Sequence, residues 1–254
     1  MTVENLCIVQ ARMGSTRLPG KTLMAMGGKT VLERVLERVS ACRRISETAV
    51  ATGIGAENLP IVKLCAEKNI RVFCGSEDDV LDRFYQLARL IKPGNIVRIT
   101  ADCPLLDPAV VDLVIKEHAR SGADYTTNTI PPTFPDGEDV EVFTFAALER
   151  AWKKAALPSE REHVTPYIRK RPGSFKIHSV KSTRDLSGKR WTLDDRADHK
   201  FISAVYRAFK GRKLFGMDDV LRLLSKRPGL EKMNSGTARN EGYKKSLRED
   251  GRKK

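Results

Sequence analysis

The 254-residue chain carries 46 basic against 32 acidic side chains, a formal net charge of +14. Such an excess gathers nucleotide, nucleic acid or membrane surface without choosing among them. No apolar run approaches the roughly 20 residues of a spanning helix and no apolar leader precedes the first strand, so the chain is expected to be cytoplasmic, with no membrane partner. Five cysteines (Cys7, Cys42, Cys65, Cys74, Cys103), an odd number without C-x-x-C spacing, argue against a disulfide or zinc framework.

Leu6 to Ala11 is an apolar run of strand length that breaks into Arg12-Met13-Gly14-Ser15-Thr16-Arg17-Leu18-Pro19-Gly20-Lys21. This loop has the chemistry of a polyphosphate cradle. Gly14 and Gly20 allow tight turns, Arg12 and Arg17 offer forked donors, and Lys21 is a compact charge. The candidate nucleotide-binding set is therefore Gln10, Ala11, Arg12, Gly14, Ser15, Thr16, Arg17 and Lys21. A helix after Gly28 is expected to add its positive end. By composition alone the loop is as often a solvated turn, and it is neither GxxxxGK followed by Ser or Thr nor GxGxxG.

Val31 to Cys42 has the apolar spacing of an amphipathic helix, Thr48 to Thr52 reads as a strand, and Pro60 opens a helix to about Lys68. A strand at Ile70 to Cys74, a helix at Val80 to Ile91 and a strand at Ile96 to Thr100 complete a strand-helix alternation that implies a parallel sheet. Ligands of such sheets lie beyond the carboxyl ends of the strands. Asp102 stands there, either as a magnesium ligand or as a turn residue, while Asp107 caps a helix from Ala109 to Arg120.

Asp124 to Asn128 reads as a strand, followed by a proline-rich loop and a strand over Glu138 to Phe143 with one wet face. On that face Asp136, Asp139 and Glu141 are either solvated or aimed at sugar hydroxyls. A helix covers Phe145 to Ala156, and Ser159 with Glu162 forms a capping box for the next, through Lys170, which carries Arg161 and His163. Phe175 to Val180 is a strand whose His178 has no chemistry. A strand over Arg190 to Leu193 delivers Asp194 and Asp195 to a helix over Ala197 to Phe209, where they cap it or complete a metal site with Asp102. A last helix begins at Met217. Without an internal linker, residues 1–225 read as one domain and 226–254 as a basic tail, weakly ordered or docked on a partner subunit.

The order of residues says more. IVQARMGSTRLPGK resembles the signature loop of the sugar-acid cytidylyltransferases, which include CMP-Kdo and CMP-sialic acid synthetases; within them the likeness is closest to spore coat polysaccharide biosynthesis protein F and its relatives. RITADCPLLDP looks like the segment bearing their first metal-binding aspartate, here Asp102. RWTLDDRADHKFI is similar to a later LTVDTPEDLEFI segment, which makes Asp194 the second ligand, with an altered turn in which Asp195 can substitute. FCGSEDDVLDRFYQLA resembles the nucleotide-side stretch and makes Gly75, Ser76 and Arg83 cytidine candidates, against an N-cap for Ser76 and a surface charge for Arg83. TFPDGEDVEVF is similar to PDGLDVEVF, with Glu138 in the usual leucine position, and EREHVTPYI marks Arg161 and His163 as acceptor contacts. Asn240 to Tyr243 with Ser246 and Leu247 resembles the family's end.

The resemblance implies a three-layer α/β/α sandwich, Rossmann-like, of the nucleotide-diphospho-sugar transferase (glycosyltransferase A) type. It implies a homodimer that turns CTP and a sugar acid into a CMP-sugar and pyrophosphate with Mg2+, and a catalytic set of Arg12, Lys21 and Asp102. A glycosyltransferase reading keeps the fold, but no DxD triplet occurs. A nucleic-acid-binding reading has the charge, but aromatic residues are only 6% and no nucleic-acid motif is present, so no nucleic-acid partner is expected.

Overall fold

The computed structural model describes residues 3–236, 239 and 241–251, so the resemblance at Asn240 and the end of the basic tail, 252–254, lie outside the described residues. Strands β1 (Asn5–Gln10), β4 (Glu47–Gly53), β5 (Arg71–Gly75) and β6 (Asn95–Thr100) run parallel, and a hairpin of β2 (Ala25–Met26) and β3 (Lys29–Thr30) follows the first loop. With β7 (Tyr125–Thr127), β8 (Glu141–Thr144) and β9 (Ile177–Ser179) the seven-stranded sheet has the order β5-β4-β1-β6-β8-β7-β9, in which β8 alone runs against its neighbours. The mixed, mostly parallel α/β sheet is thus the expected one.

Side-chain alternation along β1 shows why there are three layers. Cys7 and Val9 enter one apolar cluster with α1 (Val31–Ser40), α2 (Leu59–Glu67) and α4 (Pro108–Ser121). Leu6 and Ile8 enter the opposite one with α3 (Val80–Ile91), α5 (Phe145–Lys154) and α7 (Pro166–Arg169), while α6 (Pro158–His163) packs against α3 and α7. Helices α8 (Arg196–Ala208) and α9 (Met217–Lys226) form a third cluster around the fully buried Trp191. Helix α10 (Glu241–Asp250) packs on α6, where Asp250 accepts from the amide and hydroxyl of Ser159.

Several expectations change. The segment from Glu138 is not a half-wet strand: Glu138 is fully buried and accepts from the Asp107 amide at 2.7 Å, and β8 begins only at Glu141. Arg190 to Leu193 forms no strand beyond one bridge with Asp136, because Trp191 turns into the α8–α9 cluster. The helix expected to reach Lys170 breaks at Val164, whose φ is +69°, and Glu160 rather than Glu162 reaches back to its first amides. Asp107 does cap α4, accepting from the Ala109 amide. All five cysteines are free, four buried and Cys74 exposed. Among the described residues no helix is long and apolar enough to cross a membrane.

Candidate active site

The first loop folds back on itself because the Met13 carbonyl accepts from the amides of Ser15 and Gly20, and Gly20 takes φ +71°, which a side chain would resist. Gly14 has no such positive φ. The turn leaves Lys21 at the start of a short 3-10 turn, pointing into the gap between two chain segments that follow β6 and precede α8. Its Nζ donates to Asp102 Oδ2 at 2.7 Å, to Asp194 Oδ1 at 2.9 Å and to the Leu193 carbonyl at 2.8 Å. Arg17 Nη2 lies 3.0 Å from the same Asp194 oxygen, and Arg12 reaches Glu162 at 3.7 Å.

Registry explains the meeting. Gln10 pairs with Thr100 across β1 and β6, so the loop after one strand and Asp102 after the other leave the sheet side by side. Asp194 comes from far along the chain and is aimed by Arg190, which donates to Asp194 Oδ2 at 3.0 Å, to both oxygens of the fully buried Asp198 and to Asp136. Burial pushes the Asp102 carboxyl up, but the charge and hydrogen bond of Lys21 outweigh it and hold Asp102 at about 2. Burial likewise opposes the Lys21 ammonium, which Asp102 and Asp194 raise above its ordinary value.

Around this pair lie two adjoining cavities of about 280 Å³ each, sharing Gln10, Arg17, Thr100, Asp102, Asp194 and Gly242. Ala11, Arg12, Ser15, Thr16 and Lys21 line the first, together with Ser246 and Glu249 of α10. Asp136, Asp139, Glu141 and His163 line the second, with Arg98, Thr165, Arg169 and Tyr243. Glu141 binds Arg98, Tyr125 and Thr165; burial raises its carboxyl, and these partners bring it below the ordinary range. Burial raises Asp139 to about 7 despite Arg239, which bonds it. Burial lowers His163 to about 4, and its Nε2 lies 2.9 Å from Ser246 Oγ.

Other residues stand elsewhere. Gly14, Gly75, Ser76, Arg83 and Arg161 line neither cavity. Arg161 forks onto Asp79 beside α3, because α6 turns that face away from the crevice. Arg83 is fully buried rather than a surface charge, and donates to the Ser76 and Glu77 carbonyls while its Nε and Nη2 have no partner among the described residues. Gly75 is needed beside it, since a Cβ there would come within 2.9 Å of the Arg83 side chain. Ser76 accepts from the Asp79 amide in the turn, and Asp79 is the helix cap. Asp195 caps α8, accepting from the Asp198 amide. The amino end of α1, closed by a Thr30–Glu33 capping box, adds no dipole to the crevice.

Sequence reasoning missed Arg98, Thr165, Arg169, Arg190 and Tyr243. All but Arg169 lie inside segments that carry the family resemblance, RITADCPLLDP, EREHVTPYI, RWTLDDRADHKFI and the stretch ending at Tyr243, which was the signal that could have found them. For a metal, Asp102 and Asp194 are hard oxygen donors that already share one cation, the chemistry magnesium takes beside phosphate oxygens. Among the described residues no group of three or more ligating side chains gathers.

A family model described as cytidylyltransferase matches residues 6–209. An uncharacterized protein of Methanocaldococcus jannaschii is 38% identical over 93% of this chain and 96% of its own length. Spore coat polysaccharide biosynthesis protein SpsF of Bacillus subtilis is 32% identical over 88% of this chain and 95% of its own. A cytidylyltransferase structure from Leptospira borgpetersenii superposes with TM-score 0.87 at 30% identity, covering 93% of this chain and 99% of that one. A CMP:2-keto-3-deoxy-manno-octonic acid synthetase complexed with CTP shares the fold at TM-score 0.64 and 15% identity, over 81% of this chain and 99% of that one.

Proposed function

The chain belongs to the cytidylyltransferase family, and from that premise we propose that it joins CTP to a sugar acid or related sugar, as a homodimer, for a surface or spore-coat polysaccharide. The products are a CMP-sugar and pyrophosphate. The observation that carries this reading is one ammonium, Lys21, spanning two carboxylates from separate chain segments, Asp102 and Asp194, with Arg17 on the second. The phosphate chain of CTP lies along Arg12, Arg17 and Lys21, with Ser15 and Thr16 at hand in the same cavity. Gly75 and Ser76 are the candidates for the cytidine side, with the buried Arg83 holding their turn through the Ser76 and Glu77 carbonyls. The sugar occupies the second cavity, where Asp136, Asp139, Glu141 and His163 meet hydroxyls and Arg98 or Arg169 a carboxylate.

A sugar hydroxyl oxygen bonds to the α-phosphorus as the bond to the departing pyrophosphate oxygen breaks, and the hydroxyl proton passes to a carboxylate of the second cavity, where Asp139 stands with Asp136 and Glu141. Asp102 and Asp194 would hold the magnesium ion, which when bound offsets charge on the phosphoryl oxygens. Most of the catalysis is positioning and electrostatics, with no covalent intermediate. Pyrophosphate release from CTP, measured with magnesium across a panel of sugar acids, tests the reading. Release with one acid and not with UTP or GTP is expected, and none with any acid would refute it.

A further inference from the structure

Helix α8 begins at the crevice and ends at a different cavity, of about 330 Å³, bounded by α1, the β2–β3 turn and the loop of residues 209–215. Six cations line it, Arg34, Arg38, Arg207, Lys210, Arg212 and Lys213, against the single carboxylate of Glu37. Glu37 is already bound by Lys29 and Arg34, and Arg212 is paired with Asp219. Arg207, Lys210 and Lys213 are exposed and make no ion pair among the described residues.

Arg38 is the decisive side chain. It is 3% exposed and has no carboxylate partner among the described residues. Its Nε donates to the Tyr206 hydroxyl at 3.3 Å, and its Nη1 to the carbonyls of Leu106 and Phe215 at 3.1 and 2.9 Å. Nη2 has no acceptor among the described residues. The guanidinium stacks over the Phe215 ring at 4.3 Å, which leaves Nη2 as the donor that an anion entering the cavity would meet. Beside it Phe209 and Leu214, the latter 40% exposed, supply an apolar wall.

We propose that this cavity binds a small organic phosphate, its phosphate on Arg38 Nη2 and the ammonium groups of Lys210 and Lys213, its organic part against Phe209 and Leu214. Several unpaired cations around one forked donor suit a dianion better than a single carboxylate. The volume is that of a small-molecule site, at the low end of the usual range. The site is separate from the crevice and does not depend on the reaction proposed there.

The test is calorimetric titration of the full chain with phenyl phosphate at low ionic strength, alongside phenol and inorganic phosphate. Saturable binding is expected, tighter than for either fragment, weakened about tenfold by Lys210→Glu with Lys213→Glu and changed less than about twofold by Lys21→Ala in the crevice. Arg38→Met should weaken it at least as much; if that variant fails to fold, the exposed double variant decides. Absent binding, or binding lost in Lys21→Ala and kept in the double variant, overturns the proposal. So does a single-stranded oligonucleotide that alone loses affinity in the double variant, since that marks a nucleic-acid contact instead.

Discussion

The two ends of α8 handle charge in opposite ways. At the amino end, cations and carboxylates are matched: Lys21 with Asp102 and Asp194, Arg17 with Asp194, Arg190 with Asp136, Asp194 and Asp198, Arg98 with Glu141. At the carboxyl end six cations line a cavity with one carboxylate, Glu37, and of them only Arg34 and Arg212 are ion-paired among the described residues. The net charge of +14 therefore says little about the crevice, where a polyphosphate bound as proposed would compete with carboxylates for cations already engaged. Binding there is an exchange of partners; at the far end it is a neutralisation.

The sharpest break of this contrast is Asp102→Asn. Removing one of the two charges on Lys21 should lower CTP-dependent turnover by about 100-fold or more, while the unfolding temperature moves only a few degrees. Unchanged turnover would remove Asp102 from the chemistry. Next comes Arg190→Met, which leaves the fully buried Asp198 without its guanidinium. Loss of roughly 3–5 kcal/mol of stability is expected in denaturant melts. Arg190→Lys should recover only part of it, since an ammonium cannot fork across two carboxylates. Equal stability of Met and Lys variants would mean that the web does not organise Asp194.

How much of this was legible from residues alone depended on range. Val80–Ile91 has the bounds its pattern predicts, because Asp79 caps it and Pro93-Gly94 follows it. Lys21, Asp102 and Asp194 could be chosen because loops at strand ends and helix starts are where such groups gather, and the structure brings them together. Glu141 lines the second cavity, one of the two placements its pattern allowed, but its burial was not legible. Its neutralising partner Arg98 sits on another strand, beyond any local pattern. The break at Val164 differs in origin, since Pro166 two residues on is a local stop signal that the helical spacing masked.

A smaller effect separates two carboxylates inside the crevice. Asp102, held at about 2, contributes stability that is present above its ordinary range near pH 4 and is lost as pH falls toward 2. Asp139, raised to about 7, does the reverse: its contribution is full below about pH 4 and is lost as pH rises through 7. Asp139→Asn should flatten the fall in unfolding temperature between pH 5 and pH 8 by roughly a few degrees and leave the acid limb unchanged. A wild-type slope retained in that variant would place the titration elsewhere.

The smallest expected effect bears on the far end alone. Lys210 and Lys213 are exposed, lie among Arg207, Arg212 and Arg34, and have no carboxylate of their own among the described residues. Reversing both to Glu replaces like-charge repulsion with attraction, so the double variant should unfold roughly 1–3 °C higher than the natural chain at low salt. Because these groups face water, the gain should shrink toward zero as salt approaches about 0.5 M. A matched region would respond otherwise: Lys21→Gln, which removes the cation between two carboxylates, should lower the unfolding temperature at any salt, since Lys21 is only 13% exposed. A double variant that melts lower than the natural chain at low salt would mean that the cations at this end of α8 are balanced after all, and the contrast between the two ends would fall with it.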